Sequence, residues 1–366
     1  MAVRETRVIA FYLPQYHPIP ENDQWWGKGF TEWTNAVKAR PLFPGHYQPH
    51  LPADLGFYDL RLPEVREAQA ELARGYGIHG FCYYHYWFAG RRLLERPVNG
   101  ILESGKPDFP FCLCWANEPW TRAWTGQERQ ILIEQKYSEE DDREHIGWLC
   151  RAFRDPRYIR INGRPLFLVY RVAHMPDPRK TAEIWREEAH RQGIGEIVLA
   201  RVESWFAGEH GDPRTIGFDC AVGFQPSPEV MFHTLATKLA SLSARLGSLL
   251  IHRFDNLIRI YDYRKLVETS LQRPWPPYPY FPCVTPMWDN SARRRSKAIV
   301  LRNSTPELFE KWVRGEIARL ATKPSEEKIL FVNAWNEWAE GSHLEPDVRH
   351  GRGYLEATKR ALLADT

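Results

Sequence analysis

Short, almost wholly apolar runs recur along this chain with helical patterns between them, and that alternation constrains the fold more than any other feature. The runs cover residues 8–13, 80–88, 111–120 with its polar exit, 165–170, 197–202, 218–224, 281–287 and 329–332. Each is the length of a strand, and each lacks the polar alternation of a half-exposed one, so each reads as a strand buried on both faces of a parallel sheet. Helical periodicity fills the intervals at about 62–76, 93–104, 138–154, 181–192, 263–271, 306–320 and 354–363. Ser138, three residues before Asp141, supplies a helix start, and the acidic cluster 139–142 then favours a helix N-terminus. Eight strands alternating with helices predict an α/β protein of the (β/α)8 TIM-barrel type. We expect one catalytic domain over residues 1–366, with a helical insertion at approximately 231–260, where Leu235, Leu239, Leu242, Leu246 and Leu250 keep helical spacing.

In such a barrel the C-terminal ends of the strands gather at one face, where active sites sit. The polar and aromatic residues of this chain concentrate at those ends. They are Tyr12, Gln15 and His17 after the first run, Tyr84 and Trp87 in the second, and Trp115, Asn117, Glu118 and Trp120 after the third. Glu203 and Trp205 follow the fifth, Trp288 and Asn290 the seventh, and Asn336, Glu337, Trp338 and Glu340 the eighth. Indole faces stack on the apolar faces of sugar rings, amides grip hydroxyls, and a pair of carboxyls serves as acid and base at one glycosidic bond. Glu337 and Glu340 are therefore the candidate catalytic pair, and the other residues candidate walls of a sugar pocket. In a continuous strand residues i and i+3 face opposite ways, so this pair requires the strand to end first. Gly341 allows the turn. Glu118 with Glu337 is a rival pair, since both follow an asparagine.

Composition narrows the remaining classes. Aromatic residues are abundant, with 15 Trp, 16 Tyr and 18 Phe, many of them beside amides and acids, which leans towards a carbohydrate ligand. A formal charge of +3 is too balanced for a nucleic-acid footprint. No apolar run is long enough to span a membrane, and the polar start of the chain leaves no room for a signal peptide before the first strand, so a cytoplasmic location is expected. The six cysteines read as buried thiols, and Cys112 with Cys114 has no second pair at zinc spacing. No metal site and no cofactor are expected, because H-E-x-x-H, G-x-G-x-x-G, P-loop and D-x-D patterns are all absent. Two basic features stay open. Arg293, Arg294, Arg295 and Lys297 read either as a solvated loop or as a seat for the phosphate of a sugar donor, and the Leu-rich insertion as barrel packing or as a face for a membrane surface or an assembly partner.

Five stretches together resemble one known family. Phe-Tyr-Leu-Pro-Gln-Tyr-His-Pro at 11–18, Trp25-Trp26 with Phe-Thr-Glu-Trp at 30–33, the aromatic run 81–87, Cys-Trp-Ala-Asn-Glu-Pro-Trp at 114–120 and Asn-Ala-Trp-Asn-Glu-Trp-Ala-Glu-Gly at 333–341 resemble the WbsX-like proteins of bacterial polysaccharide loci. That group is similar to glycoside hydrolase family 99, the endo-α-mannosidases. The resemblance implies a (β/α)8 barrel that retains anomeric configuration through a 1,2-anhydro sugar. On the match to the family pattern Asn-Glu-Trp-His-Glu-Gly, Glu337 would deprotonate the sugar 2-hydroxyl and Glu340 would serve as general acid and then base, while Ala339 stands in place of the histidine. It further implies an α-linked, mannose- or rhamnose-like oligo- or polysaccharide substrate. Glycosyl transfer in cell-surface polysaccharide synthesis, such as O-antigen, and a non-catalytic glycan-binding module are the alternatives.

Overall fold

The structure is a computed structural model that describes residues 6–122, 127–204, 210–227, 258–294 and 297–363. Eight strands form its centre: β1 (Arg7–Tyr12), β2 (Ile78–Phe88), β3 (Phe111–Trp115), β4 (Arg164–Val169), β5 (Val198–Glu203), β6 (Cys220–Gly223), β7 (Tyr280–Val284) and β8 (Ile329–Val332). Each pairs in parallel with the next, and β1 pairs with both β2 and β8, so the sheet closes on itself. This is the (β/α)8 barrel that the alternation predicts.

Ten α-helices are described besides these strands. In chain order they are α1 (Pro20–Trp26), α2 (Glu32–Lys38), α3 (Pro63–Gly75), α4 (Arg96–Ser104), α5 (Glu139–Phe153), α6 (Pro178–Arg191), α7 (Tyr263–Gln272), α8 (Ser291–Arg294), α9 (Pro306–Leu320) and α10 (Gly353–Leu363). Sequence chemistry sets several starts: the side chain of Ser138 accepts from the Asp141 N–H ahead of α5, and Asp177 and Thr305 do the same for α6 and α9, each followed by proline at the first helical position.

The barrel interior is aromatic. Phe11 meets Tyr84, Phe224 and Phe331 with ring centroids 5.3–5.7 Å apart, and Tyr170 reaches both Tyr84 and Phe224. Stacking large rings in this way fills the axis and leaves the upper rings as the floor of whatever lies above.

Three parts of the expectation change. Residues 22–33, outside the helical intervals of the sequence, hold most of α1 and the start of α2, since seven-residue helices are too short to show a period. Trp120 opens a strand, Trp120–Arg122, paired antiparallel with Gln127–Ile133, where a loop was expected. Of the Leu-rich stretch 231–260, residues up to 257 lie outside the described residues, and Arg259–Asp262 is a strand paired with Ile299–Arg302 rather than helix. Among the described residues no helix is long and apolar enough to cross a membrane.

Candidate active site

β8 ends at Val332, five residues before Glu337, and the chain then turns back over the barrel mouth. Asn336–Glu337 pairs antiparallel with Ser342–His343, and Trp338–Glu340 forms a single 3-10 turn between them. Gly341 closes it at φ 54°, and a Cβ there would lie 2.9 Å from Cβ of Asp289, so the turn requires glycine twice over. With the strand interrupted, both carboxylates reach one guanidinium. Arg293, on α8, lies 3.1 Å from Oε2 of Glu337, 2.7 Å from Oε1 of Glu340 and 3.0 Å from Oε2 of Glu32 on α2.

Three acids around one cation cannot all ionise cheaply in a buried site. Glu337 is pushed up to about 8, by burial first, with Arg293 opposing and the charges of Glu340 and Glu32 adding. Burial likewise raises Glu32, whereas the surrounding carboxylates hold Arg293 firmly charged. Glu340 is the more open of the two candidates, its side chain 22% exposed against 7% for Glu337.

The pair forms one wall of a cleft of about 270 Å³ whose other walls include Gln15, Trp26, Tyr84, Tyr86, Glu118, Trp120, Tyr170 and Phe224. Aromatic faces with a few convergent polar groups describe a sugar-sized pocket. Gln15 Nε2 is buried without a protein partner, a donor free for a hydroxyl of a bound molecule. Glu118 lies in the same cleft but pairs with Arg171 at 2.5 Å.

Of the residues singled out in the sequence, Gln15, Tyr84, Glu118 and Trp120 join Glu337 and Glu340 in this cleft. The others support it or lie elsewhere. Tyr12 faces outward from β1 and donates to Gln69 on α3 at 2.6 Å, and Trp87 donates to Asp141 on α5 at 2.9 Å. Trp115, fully buried, donates to the Trp87 carbonyl. Period two along a strand is the reason: Phe11, Tyr84 and Tyr86 take the inner face, so their neighbours Tyr12 and Trp87 take the outer one. His17 is buried away from the cleft lining, and burial lowers its pKa to about 4. Asn117 clamps both backbone polar groups of Arg171, and Asn336 those of Leu13, each amide tying two strand exits together. Glu203 accepts from Arg201 and Tyr278 in a separate cavity of about 140 Å³. Trp288 lines a third, of about 130 Å³, and the Asn290 side chain accepts from the Ile299 N–H. Trp338 turns its indole away from the cleft onto Glu345 and His343, and Trp205 lies outside the described residues.

Two members of the cluster are not among the sequence candidates. Arg293 was visible only as part of a basic knot with a phosphate in view, yet it faces carboxylates. Glu32 is wholly buried 3.2 Å from Nε of Arg293, and its signal was the Phe-Thr-Glu-Trp stretch.

Comparison with known proteins gives a family and a fold. Residues 8–358 match the family described as Glycosyltransferase WbsX. The chain belongs to that WbsX family. Two curated relatives, both named uncharacterized protein WxcX and from Xanthomonas campestris pv. campestris strains B100 and ATCC 33913, are 47% identical over 356 residues, covering 97% of this chain and 49% of theirs. The WbsX chain thus spans about half the length of the curated relatives it matches. Among solved structures, the GH99 endo-α-mannosidase from Bacteroides thetaiotaomicron superposes with a TM-score of 0.59 at 14% identity, covering 98% of this chain and 97% of that one. A glycoside hydrolase-like protein gives 0.61 at 14% identity, covering 99% and 95%. The barrel of this WbsX chain is therefore the fold seen in the GH99 structure.

Proposed function

We propose that this chain is a retaining glycoside hydrolase acting on α-linked mannose- or rhamnose-like units of a bacterial polysaccharide. The observation that carries the proposal is the gathering of Glu337 and Glu340 by Arg293 on one wall of an aromatic cleft at the barrel mouth. Two carboxyls within reach of one guanidinium are close enough to work on one glycosidic bond.

Glu337 as carboxylate takes the proton of the sugar 2-hydroxyl, and the 2-oxygen attacks C1. The bond from C1 to the departing oxygen breaks as Glu340 protonates that oxygen, leaving a 1,2-anhydro sugar. Glu340, now ionised, takes a proton from water, whose oxygen opens the ring at C1 while the 2-oxygen recovers its proton from Glu337. Two displacements at C1 retain configuration. The high proton affinity of Glu337 suits removal of a hydroxyl proton, and Arg293 keeps a fraction of it ionised near neutrality. Gln15 and Trp120 would grip hydroxyls and stack on a ring.

A second reading, glycosyl transfer, has the family description behind it. An acceptor hydroxyl then replaces water in the second displacement, and the same two acids serve. Arg293 is occupied by carboxylates, which removes the first residue of the basic knot from any phosphate seat.

The test is turnover of a panel of α-glycosyl fluorides, with and without acceptor sugars, by the parent chain. Free sugar of retained configuration is the expected product; a new glycoside formed only with acceptor would favour transfer, and sugar binding without turnover of any donor would contradict both readings in favour of a binding module.

A further inference from the structure

Behind the turn that carries the two acids, three side chains from two distant parts of the chain converge out of solvent. Nδ1 of His50 lies 3.0 Å from Nε2 of His343, which lies 3.8 Å from Oδ2 of Asp347. All three residues are buried, Asp347 to 2% exposure, and these ligand atoms lie within 4.8 Å of one another. Oδ2 of Asp347 has no hydrogen-bond partner, although a buried carboxylate oxygen ordinarily finds one. Its other oxygen accepts from the His350 N–H, so the carboxylate is oriented and one lone-pair face is left aimed at the imidazoles.

We infer that His50, His343 and Asp347 form a binding site for a divalent transition-metal ion, with zinc as the ion of choice. Bonds of about 2.0–2.2 Å at tetrahedral angles place ligand atoms about 3.3–3.6 Å apart. The observed 3.0 and 3.8 Å bracket that spacing. His343 also shows the outer-sphere arrangement of a ligating histidine: Nδ1 is 3.0 Å from the Glu345 carbonyl, and donating there leaves on Nε2 a lone pair that faces Nδ1 of His50. His50 borders the cavity of about 130 Å³, from which water could complete the coordination. Two imidazoles and one carboxylate suit zinc better than magnesium or calcium.

A second imidazole pair in the same fold sharpens the assignment. Nε2 of His85 lies 3.0 Å from Nε2 of His145, both rings buried, but among the described residues it has no carboxylate at ligand distance. That pair is explained by packing between Trp87 and Trp148. The His50 pair differs by its oriented, unsatisfied acid. An ion there would pin the loop around His50 to the segment 343–347, with Trp338 stacked 3.9 Å from His343, and so brace from behind the turn that presents Glu337 and Glu340.

The experiment uses the full chain with any affinity tag removed. Metal content by mass spectrometry and titration with Zn²⁺ after chelation are measured for the parent, Asp347→Asn, His343→Gln and His85→Gln, with circular dichroism as the check on folding. The expected result is about one zinc per parent chain, a rise in Tm on adding Zn²⁺ to chelated protein, unchanged binding in His85→Gln, and affinity weakened more than about tenfold in the other two, the loss that even an outer-sphere partner causes. Should His343→Gln fail to fold, the near-isosteric Asp347→Asn and the parent decide alone. A parent that takes up no zinc and shows no Zn²⁺-dependent change in Tm overturns the assignment, as does full binding retained by Asp347→Asn.

Discussion

Glu337 and Glu345 leave the same strand eight residues apart, and both are buried carboxyls with raised proton affinity, to about 8 and about 7. Their surroundings differ in kind. Glu345 accepts from Tyr58 at 2.8 Å, from Trp338 at 2.7 Å and from Gln69 at 2.7 Å, all neutral donors. Glu337 faces one cation and two further acids, and it lines the cleft. Burial alone therefore does not mark a reactive acid. What distinguishes Glu337 is that its neighbours are charges and its open side is a pocket, whereas the oxygens of Glu345 are consumed in holding α3, the 50s loop and Trp338 together.

The comparison can be broken or sharpened at several points. The largest effect should come from Glu340→Gln on a substrate with a poor leaving group. Loss of general acid assistance should lower kcat by about 10²–10⁴. Turnover of the matching glycosyl fluoride, which departs without a proton, should fall much less, and steady-state kinetics on the two substrates measure the ratio. Next, Arg293→Met leaves three acids facing one another without their cation and should cost about 3–5 kcal/mol in denaturant unfolding, with activity lost. By contrast Glu345→Gln turns one acceptor oxygen into a donor facing donors. It should destabilise by about 1–3 kcal/mol while leaving turnover by the folded fraction within about tenfold of the parent.

The remaining prediction is a pH slope. Both glutamates bind their proton more tightly folded than unfolded, so between about pH 4.5 and 8 the native state holds more protons and stability falls as pH rises. Their contribution is fully present below the unfolded value and lost on passing the folded one. Thermal melts of the parent should show that decline, and Glu337→Gln should flatten its upper part. A Tm that climbs over this range in the parent and not in Glu337→Gln would contradict the raised affinity.

How much of this was legible beforehand depends on which physical signal each part leaves in one dimension. The strands were legible because burial on both faces writes an unbroken apolar run: residues 329–332 coincide with β8, and the other seven runs overlap their strands with shifts of a few residues at the ends. The acid pair was legible because both members sit in one short stretch. The wall was only partly so. Proximity to a strand exit does not state which face a side chain takes, which is why Tyr84 lines the cleft while Tyr12 and Trp87 pack against helices. Glu32 and Arg293 were hidden for a different reason, since their meeting spans 261 residues and appears only once the barrel brings its loops to one end. The same holds for His50 with His343.

The central claim is that Glu337, and not the equally buried Glu345, carries the chemistry. The most direct measurement is turnover of an α-glycosyl donor cleaved by the parent, compared side by side for Glu337→Gln and Glu345→Gln at equal concentrations of folded protein. The account predicts a fall of about 10³-fold or more for Glu337→Gln, the scale of removing a base from the transition state, with Glu345→Gln close to the parent. Turnover retained by Glu337→Gln, or lost equally in both variants, would contradict it.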